Sequence, residues 1–332
     1  MDLDSLRSAR IAGTGRYLPE KRLTNQDVEK MVDTNDEWIR QRTGIMERRI
    51  AAPEQATSDL AHEAARIAIA DAGLEPKDID QIIVATVTAD TVFPSTACRL
   101  QFSLGCREIP AFDLGAACSG FIYALAIART GIAAGSFDNV LVIGAETLSR
   151  IVDYEDRGTC ILFGDGAGAA VLSVAGDGEP GIIDTHFAAD GSGADLMILP
   201  GGGSRIPASH EMVNQRLQYI RMEGRSVYRQ AISKIVMLVE ESLKRCHLTR
   251  DDIDLIIPHQ MNARIIQSAA DRLNIPMEKL FVNIDRYGNT SAATIPIAID
   301  EAKREGRLKK GDLVCLVTFG GGMTWASALL RW

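Results

Sequence analysis

Residues 77–86 read KDIDQIIVAT, and residues 251–260 read DDIDLIIPHQ. Each stretch follows a helical pattern that ends at a leucine, HEAARIAIADAGL at 62–74 and KIVMLVEESLKRCHL at 234–248. Because the same succession of helix and strand occurs twice in the chain, the sequence contains an internal repeat. The repeat predicts a fold made of two similar halves.

The repeat continues downstream at a nearly constant spacing. AFDLGAACSGFIYALA (111–126) parallels VNIDRYGNTSAATIPIA (282–298), and we expect each to begin as a strand, turn at glycine and continue as an apolar helix. GSFDNVLVIGAE (135–146) parallels KKGDLVCLVTFGGG (309–322). We therefore expect strands and helices to alternate in both halves.

The apolar segments are short and continuous, as in LVIGA (141–145) and CLVTF (315–319), which is typical of strands inside a sheet. Their alternation with helices predicts α/β halves with parallel sheets covered on both faces. Two such halves related by a pseudo-twofold axis form a five-layered αβαβα stack. We expect the first half at residues 1–175 and the second at 176–332, with the functional site where turns from both halves meet.

Composition argues against several classes of protein. The 332 residues carry a formal net charge of −8, whereas a general nucleic-acid binder is normally basic. The most apolar stretch, residues 115–135, contains Arg129 and is rich in Ala and Gly, which indicates a core helix rather than a membrane span. The N-terminal MDLDSLRSAR (1–10) lacks the apolar run of a secretory signal. None of the six cysteines belongs to a Cys-x-x-Cys pair, which predicts no metal site and free thiols in a reducing cytoplasm.

Cys118 is the candidate nucleophile. It follows the predicted strand IPAFDLG (109–115) and begins an apolar helix. Backbone N–H groups and the macrodipole at a helix N-terminus favour the thiolate, which is the reactive form of cysteine. Taken alone, however, a cysteine in an apolar helix is more often a buried structural residue.

His259 and Asn289 are its candidate partners. His259 follows the predicted strand DLIIP (254–258), and Asn289 lies in the turn that corresponds to the Cys118 turn. Taken alone, a histidine satisfied in the core and an ordinary helix cap explain these residues. The repeat nevertheless brings all three residues to one place. Imidazole and carboxamide groups can donate hydrogen bonds to an oxygen that gains negative charge, which predicts acyl-transfer chemistry.

Glycine-rich turns follow two of the predicted strands. In FGGGMTWAS (319–327), a bare N–H group could form an oxyanion hole with the N–H of Cys118, and a plain glycine turn is the alternative. FGDGAGAAVL (163–172) lacks the Lys-Ser/Thr ending of a phosphate-binding loop and does not match the dinucleotide-binding pattern. We interpret it as a tight turn into a core strand.

These motifs resemble those of the 3-oxoacyl-(acyl carrier protein) synthase III family, within the thiolase-like superfamily. The resemblance runs nearly end to end and includes TNDEWIRQRTGI (34–45), AACSGF (116–121), DRGT (156–159), PHQMNARII (258–266), RYGNTSAA (286–293) and FGGGMTWAS. Thiolases proper carry a second active-site cysteine and elongating synthases a second histidine, whereas Asn289 matches the initiating type and the plant-polyketide-synthase type. The resemblance implies a thiolase-like fold and an initiating condensing enzyme of type II fatty-acid synthesis.

The resemblance also implies a mechanism without metal or redox cofactor. An acyl-CoA, such as acetyl-CoA or a short branched acyl-CoA, would acylate Cys118, and malonyl-(acyl carrier protein) would then enter. His259 and Asn289 would stabilise the enolate that forms on decarboxylation. The enolate would attack acyl-Cys118 while the N–H groups of Cys118 and Gly321 hold the oxyanion, giving a 3-oxoacyl-carrier protein.

Substrate contacts follow from the same resemblance. Trp38 would stack on the CoA adenine with Arg42 and Arg157 nearby, although a surface salt bridge to Asp156 is the ordinary alternative for Arg157. Asn262 would contact the pantetheine arm. Phe319 would lie beside the nucleophile.

Other implied contacts concern the carrier protein and the acyl group. Arg229 and Arg264 would meet phosphates or the acidic carrier protein, where solvated surface arginines are the alternative. Phe93 would close the acyl pocket from the partner subunit of a homodimer. Met323, assigned to the acyl pocket, and Tyr228 stand where phenylalanine is familiar in relatives, so the preferred primer stays open.

Three other functions remain alternatives at this point. A condensing enzyme of secondary metabolism would use another starter or extender. A catalytically idle homologue would act as a binding partner and form no acyl adduct. A cysteine hydrolase would share Cys118 and His259 but has no need of the glycine triplet, Trp38 or the carrier-facing arginines.

Overall fold

The fold is described from a computed structural model that covers residues 6–176 and 178–332. Residues 1–5, which belong to the predicted first half and to the segment tested for a secretory signal, and Asp177 of the second half lie outside the described residues. The strands are β1 (Ala9–Tyr17), β2 (Lys21–Thr24), β3 (Glu47–Ile50), β4 (Gln81–Ala85), β5 (Ala111–Leu114), β6 (Asn139–Glu146), β7 (Gly166–Val174), β8 (Ile182–Ala189), β9 (Met197–Ile198), β10 (Arg221–Met222), β11 (Leu255–Pro258), β12 (Leu313–Gly320) and β13 (Thr324–Arg331).

The α-helices connect and cover these strands. They are α1 (Asn25–Val28), α2 (Asp36–Thr43), α3 (Thr57–Asp71), α4 (Thr96–Ser103), α5 (Gly120–Ala133), α6 (Arg157–Cys160), α7 (His210–Asn214), α8 (Gly224–Arg245), α9 (Ala263–Leu273), α10 (Ile284–Tyr287) and α11 (Thr294–Arg304). Within the described part of the chain, no helix combines the length and the apolar character needed to cross a bilayer.

Two central sheets repeat the same strand order. The first has the order β1-β7-β6-β4-β5 and the second the order β8-β13-β12-β11. Each strand of the second sheet therefore has its counterpart in the first at the same place. The strands of the first sheet lie within residues 9–174 and those of the second within residues 182–331. The division at residues 175 and 176 stays a prediction.

The sheets are mixed rather than parallel. Parallel pairing is found between β4 and β5, β4 and β6, and β11 and β12, whereas β7 and β13 run antiparallel to their neighbours. The expectation of parallel sheets was wrong for these two strands. In the second half the reason is local, because the short turn between β12 and β13 leaves no room for the crossover that parallel strands require.

Residues 282–298 do not begin with a strand, although one was expected there. A single bridge joins Leu280 to Ile256 of β11. Beyond it, the side chain of Gln260 donates to the carbonyl of Phe281 at 3.1 Å and accepts from the N–H of Asn283 at 3.0 Å. These side-chain bonds take up backbone groups that a fifth strand would use for its ladder.

Helices and sheets alternate in five layers. Helix α3 packs on the outer face of the first sheet, α5 and α11 lie between the sheets, and α8 with α9 covers the second sheet. Buried aliphatic and aromatic side chains fill the middle layer, including Phe121 and Leu125 of α5 and Ile295 and Ile299 of α11. The predicted αβαβα stack is confirmed.

Close approach between the halves depends on glycine. At Gly144 of β6, a Cβ would collide with the carbonyl of Ala292, which belongs to the turn before α11. Because Gly144 has no side chain, this turn of the second half rests directly on a strand of the first. Two residues further on, β6 ends at Glu146.

Candidate active site

Two equivalent 3₁₀ turns lie where the halves meet. One spans Ala117–Ser119 and leads into α5, and the other spans Ser291–Ala293 and leads into α11. Ala117 and Ser291, the first residues of the two turns, have φ angles of 45° and 49°. A non-glycine residue in this left-handed region costs about 1–2 kcal/mol, so packing around both turns must hold them in place.

The second half anchors the turn that carries Cys118. Thr318 of β12 donates its hydroxyl to the carbonyl of Cys118 at 3.0 Å, and Thr324 of β13 donates to the carbonyl of Ala116 at 3.0 Å. A Cβ on Gly320 would lie 2.9 Å from Cβ of Cys118, which explains a glycine at this position. The side chain of Cys118 is thus buried between the two halves.

Burial raises the pKa of the Cys118 thiol to about 11, and the charge of Glu146 acts in the same direction, whereas the Ser291 side chain and the N–H groups of Cys118 and Gly321 lower it. Desolvation of the charged sulfur thus disfavours the thiolate, whereas the helix N-terminus was expected to favour it. The two N–H groups that lower the pKa of the thiol are those of the predicted oxyanion hole.

His259 follows β11 directly, and its N–H donates to the carbonyl of Val317 at 2.8 Å. Burial lowers the pKa of the imidazole to about 3, so the ring is neutral. Its Nδ1 lies 2.7 Å from the hydroxyl of Thr294, which also lies 3.0 Å from the carbonyl of Ser291. Thr294 has one hydroxyl proton, which it can donate to only one of the two. Donation to the Ser291 carbonyl makes Thr294 accept from Nδ1–H, whereas donation to Nδ1 leaves the ring proton on Nε2.

The carboxamide of Asn289 is oriented by its own turn. Its Oδ1 accepts from the N–H of Ser291 at 2.8 Å, and its backbone N–H donates to the carbonyl of Leu162 at 2.9 Å. With Oδ1 engaged in this way, Nδ2 is the group that can donate to a ligand. Cys118, His259 and Asn289 line one cavity of about 240 Å³, so the structure brings the three predicted residues together.

The same cavity extends to the surface beside Trp38. Its lining includes Phe319 near Cys118 and, towards the mouth, Trp38, Arg42, Tyr228 and Asn262. The side chain of Asn262 caps α9 by accepting from the N–H of Arg264 at 2.9 Å and donates to the carbonyl of Arg42 at 3.0 Å. Asn262 therefore also joins α2 to α9 at the mouth.

Arg42 and Arg157 flank the indole ring. Their guanidinium carbons lie 5.8 and 5.0 Å from the ring centroid of Trp38. Arg157 donates to the carbonyl of Asp33 at 3.1 Å, while the carboxylate of Asp156 accepts from the N–H of Gly158. The alternative of an Arg157–Asp156 salt bridge is therefore not what the structure shows. An aromatic ring between two cations suits a planar group that carries phosphates.

The remaining predicted contacts lie outside this cavity. Arg229 on α8 and Arg264 on α9 are both exposed, and the guanidinium of Arg264 lies 6.0 Å from the ring of Tyr228. Phe93, between β4 and α4, is 84% exposed and lines neither cavity that contains Cys118. A single subunit therefore does not place Phe93 in a cavity that would hold an acyl group.

Met323 does not line either cavity that contains Cys118, so its assignment to the acyl pocket needs correction. It is buried against Gly193, where a Cβ would lie 2.7 Å from Cγ of Met323. Two backbone hydrogen bonds of 2.9 Å between Met323 and Asp190 hold it on that side of the turn.

A second, apolar cavity of about 150 Å³ begins at Cys118. Besides Cys118, Ser291 and Gly321, its lining is Val87, Ala117, Leu148, Ile151, Phe163, Met197, Ile198, Leu199 and Ile220. Sequence reasoning missed these wall residues because single aliphatic residues in separate loops cannot be distinguished from core.

Glu146, the last residue of β6, is a buried carboxyl group next to this cavity. It accepts hydrogen bonds from the hydroxyls of Thr88 and Thr86 at 2.6 and 3.2 Å and from the N–H of Val87 at 3.1 Å. Burial raises its pKa to about 7, against the effect of these bonds and of one from Ser291. Glu146 is not among the residues predicted from the sequence, although a glutamate at the end of the apolar run NVLVIGAE was a usable signal.

Comparison with known proteins identifies the family. Family models of 3-oxoacyl-[acyl-carrier-protein] synthase III match residues 112–191 and, for its C-terminal part, residues 243–332. The chain is 56% identical over 325 residues to the beta-ketoacyl-[acyl-carrier-protein] synthase III of Caldanaerobacter subterraneus subsp. tengcongensis, covering 98% of each chain.

Solved structures show the same similarity. The crystal structure of 3-oxoacyl-[acyl-carrier-protein] synthase III from Aquifex aeolicus VF5 matches with a TM-score of 0.90 and 49% identity, over 98% of this chain and 100% of that one. The priming beta-ketosynthase of the R1128 polyketide biosynthetic pathway matches with a TM-score of 0.91 and 34% identity, over 98% and 97% of the two chains.

Proposed function

Because the chain belongs to the 3-oxoacyl-[acyl-carrier-protein] synthase III family of condensing acyltransferases, we propose that it performs the initiating condensation of fatty-acid synthesis. An acyl-CoA and malonyl-(acyl carrier protein) would give 3-oxoacyl-carrier protein, CoA and carbon dioxide. The observation that carries the proposal is the single cavity that joins Cys118, His259 and Asn289 to Trp38 at the surface.

Loading uses Cys118. Its sulfur attacks the thioester carbonyl of the acyl-CoA, and the carbon–sulfur bond to CoA breaks. The N–H groups of Cys118 and Gly321, which both lower the pKa of the thiol, would hold the carbonyl oxygen as it gains charge. Trp38, with Arg42 and Arg157 beside it, would bind the adenine and phosphates of CoA.

Decarboxylation uses His259 and Asn289. The malonyl thioester oxygen would accept hydrogen bonds from Nε2–H of His259 and from Nδ2–H of Asn289. As carbon dioxide leaves, the electron pair of the broken carbon–carbon bond moves into an enolate, and these donors stabilise it. A neutral imidazole fits this role because burial disfavours the charged ring. The enolate carbon then attacks the acyl group on Cys118, whose thiolate leaves.

The apolar cavity would hold the primer. Its volume of about 150 Å³ equals roughly five water-sized groups, which leaves room beyond an acetyl methyl. We therefore propose a short or branched acyl-CoA as the primer. Its walls come from Leu148, Ile151, Leu199 and Ile220 rather than from Met323.

We also propose a homodimer, which would complete that cavity. Three large apolar side chains are almost fully exposed to water, namely Val92 (94%), Phe93 (84%) and Phe102 (85%). Such exposed apolar groups often mark a protein–protein contact. They lie near β5, the edge strand of the first sheet, whose free ladder is a ready site for pairing with a second copy. Phe93 of the partner subunit would then close the acyl cavity.

Carrier protein binding is assigned to the arginines near the mouth. Arg229 and Arg264 are exposed on neighbouring helices, and an acidic carrier protein would meet them despite the negative net charge of the chain. We place the reaction in the cytoplasm, where reducing conditions keep Cys118 as a thiol.

Intact mass spectrometry with a panel of acyl-CoAs tests the proposal. Wild-type enzyme should gain one acyl group, and Cys118→Ala should gain none. Full loading of the alanine variant would refute Cys118 as the nucleophile. Addition of malonyl-carrier protein should then yield 3-oxoacyl-carrier protein.

A priming role in polyketide synthesis is the second candidate, favoured by the similarity to the R1128 priming ketosynthase. A loaded enzyme that discharges only onto a different extender or carrier protein would support that candidate. An enzyme that releases mainly free acid would instead support a hydrolase.

A further inference from the structure

Glu301 on α11 is a buried carboxylate that lines neither cavity containing Cys118. Its two oxygens accept four hydrogen bonds, from Nδ2 of Asn283 at 2.8 Å, from Nη1 and Nη2 of Arg286 at 3.0 and 3.2 Å, and from the hydroxyl of Tyr287 at 2.7 Å. The three donor residues belong to one segment, 283–287, which lies just before Asn289 in the chain. Hydrogen bonds to a buried charged group are the strong ones, so Glu301 restricts the position of this segment.

Segment 283–287 needs such support because its own structure is short. Its helix α10 spans only four residues, Ile284–Tyr287, and so short a helix is not stable by itself. The side chain of Asn283 does not cap this helix but donates to Glu301 instead. Directly after α10, Gly288 turns the chain towards Asn289 with a φ angle of 65°. The bonds to Glu301 therefore determine where the turn that carries Asn289 begins.

The same network extends to His259. The backbone N–H of Asn283 donates to Oε1 of Gln260 at 3.0 Å, and Gln260 follows His259 directly in the chain. Helix α11, which carries Glu301, also begins with Thr294, whose hydroxyl lies 2.7 Å from Nδ1 of His259. Glu301 thus joins α10 to the helix that contacts the imidazole.

We propose that Glu301 is a positioning residue for decarboxylation, which holds the hydrogen-bond donors of His259 and Asn289 at the separation that the enolate oxygen requires. The inference rests on the proposed function and deepens it. Donors stabilise a developing oxyanion only within a narrow range of distances, and a displacement of about 1 Å can slow a reaction on the order of a hundredfold. Loading of Cys118 does not use these two donors in the proposed reaction, so it should not depend on Glu301.

The test compares the two half-reactions in Glu301→Gln. Intact mass follows acyl loading, and release of carbon dioxide from malonyl-carrier protein follows decarboxylation. Glutamine has nearly the same shape but replaces one acceptor oxygen with an NH₂ group that faces donors, so segment 283–287 has to shift. Loading should keep the wild-type rate, whereas decarboxylation should slow roughly tenfold to a hundredfold. Both rates are divided by the amount of enzyme that accepts an acyl group, so a loss of folded protein does not produce this difference.

Asp300→Asn is the matched control, because Asp300 is the neighbouring buried carboxylate on the same helix. It accepts hydrogen bonds from Thr14 and Arg16 of β1 and from Arg304, all outside segment 283–287. Arg16 also lies 3.6 Å from Glu301, so the control reports any effect of that contact as well. In Asp300→Asn, loading and decarboxylation should keep their wild-type ratio even if the variant is less stable.

Two further variants make the test independent of a single substitution. If Glu301 acts through Asn289, Glu301→Gln should slow decarboxylation less in an Asn289→Ala background than in wild type, because residues that act as a unit are not additive. Tyr287→Phe removes one donor to Glu301 and keeps the aromatic ring. It should slow decarboxylation several-fold and leave loading unchanged, and it decides the question if Glu301→Gln does not fold.

Several results would overturn the positioning role. These are wild-type decarboxylation in Glu301→Gln, equal slowing of loading and decarboxylation, the same altered ratio in Asp300→Asn, or fully multiplicative losses in the Asn289→Ala background. A wild-type enzyme that accepts an acyl group but does not decarboxylate malonyl-carrier protein would instead contradict the proposed function itself.

Discussion

The hydroxyl of Thr294 lies 2.7 Å from Nδ1 of His259. Thr294 begins α11 in the second half, and His259 follows β11, so this contact joins the two elements that hold the imidazole. Since the ring is neutral, Nε2 carries the hydrogen only when Thr294 donates to Nδ1 rather than to the carbonyl of Ser291. The contact therefore determines whether His259 can act as a hydrogen-bond donor to the malonyl thioester.

We expect Thr294→Val to slow malonyl decarboxylation at least tenfold while acyl loading continues. Valine has a similar shape but cannot donate to Nδ1, so it cannot stabilise the donor tautomer of His259. Release of carbon dioxide from malonyl-carrier protein measures the effect. Thr294→Ser, which keeps the hydroxyl, should restore most of the rate. Equal activity of the valine and serine variants would exclude tautomer control by residue 294.

Alanine at His259 or Asn289 should leave loading intact and remove decarboxylation. Each loss takes away one donor to the enolate oxygen, which is typically worth about 3–4 kcal/mol, or roughly a hundredfold or more in rate. Intact mass follows loading, and carbon dioxide release follows decarboxylation. If both variants kept near-normal decarboxylation and lost only loading, the roles assigned to the two residues would be wrong.

Stability should depend on pH through His259. Its folded pKa of about 3 lies below the ordinary value of 6.5, so between these values the unfolded chain binds a proton that the folded chain does not. Stability should therefore fall as the pH drops from 6.5, by at most about 1.4 kcal/mol per pH unit. Denaturant unfolding at pH 6.5 and 5.0 should show a smaller drop in His259→Gln than in wild type. An identical drop in both proteins would contradict a buried, neutral ring.

Glu146 should make stability depend on pH in the opposite direction. Its folded pKa of about 7 lies above the ordinary value of 4.5, so the folded chain holds an extra proton between these values. The contribution of Glu146 to stability is thus greatest below pH 4.5 and is lost as the pH rises through 7. Glu146→Gln should remove this loss, so the stability of the variant relative to wild type should increase from pH 5 to pH 8. No change in that difference would argue against a raised pKa.

Filling the apolar cavity should change the choice of primer. Leu199→Phe adds volume to its wall, so loading of branched acyl-CoAs should fall at least tenfold relative to acetyl-CoA, within the range that one or two methylene groups usually cause. Val213→Phe, on the exposed face of α7 and outside this cavity, is the control. Unchanged relative rates in Leu199→Phe would place the acyl group elsewhere.

Much of the architecture could be predicted because the chain repeats itself. The two repeated stretches, residues 77–86 and 251–260, contain β4 and β11, which occupy equivalent positions in the two sheets. The missing fifth strand of the second sheet was not predictable, since it depends on hydrogen bonds from Gln260, which is distant in sequence. Pairing with a distant side chain leaves no trace in local periodicity.

The site, too, could be predicted only in part. The structure places Cys118, His259 and Asn289 in one cavity, as predicted from the equivalent turns of Cys118 and Asn289 and from the position of His259 after a neighbouring strand. The raised pKa of Cys118 could not be anticipated, because its largest cause is burial, which the sequence does not quantify. Met323 was wrongly assigned to the acyl pocket. Its two backbone hydrogen bonds with Asp190, which hold it away from the cavity, could not be seen in the sequence.

Discharge of the acylated enzyme is the most direct test of the central claim. Enzyme loaded on Cys118 and freed of excess acyl-CoA would be mixed with malonyl-carrier protein, and the intact masses of both proteins followed in a single turnover. We predict that the acyl mass leaves the enzyme as an equal amount of 3-oxoacyl-carrier protein appears. An adduct that persists, or that is lost only as free acid, would contradict an initiating condensation.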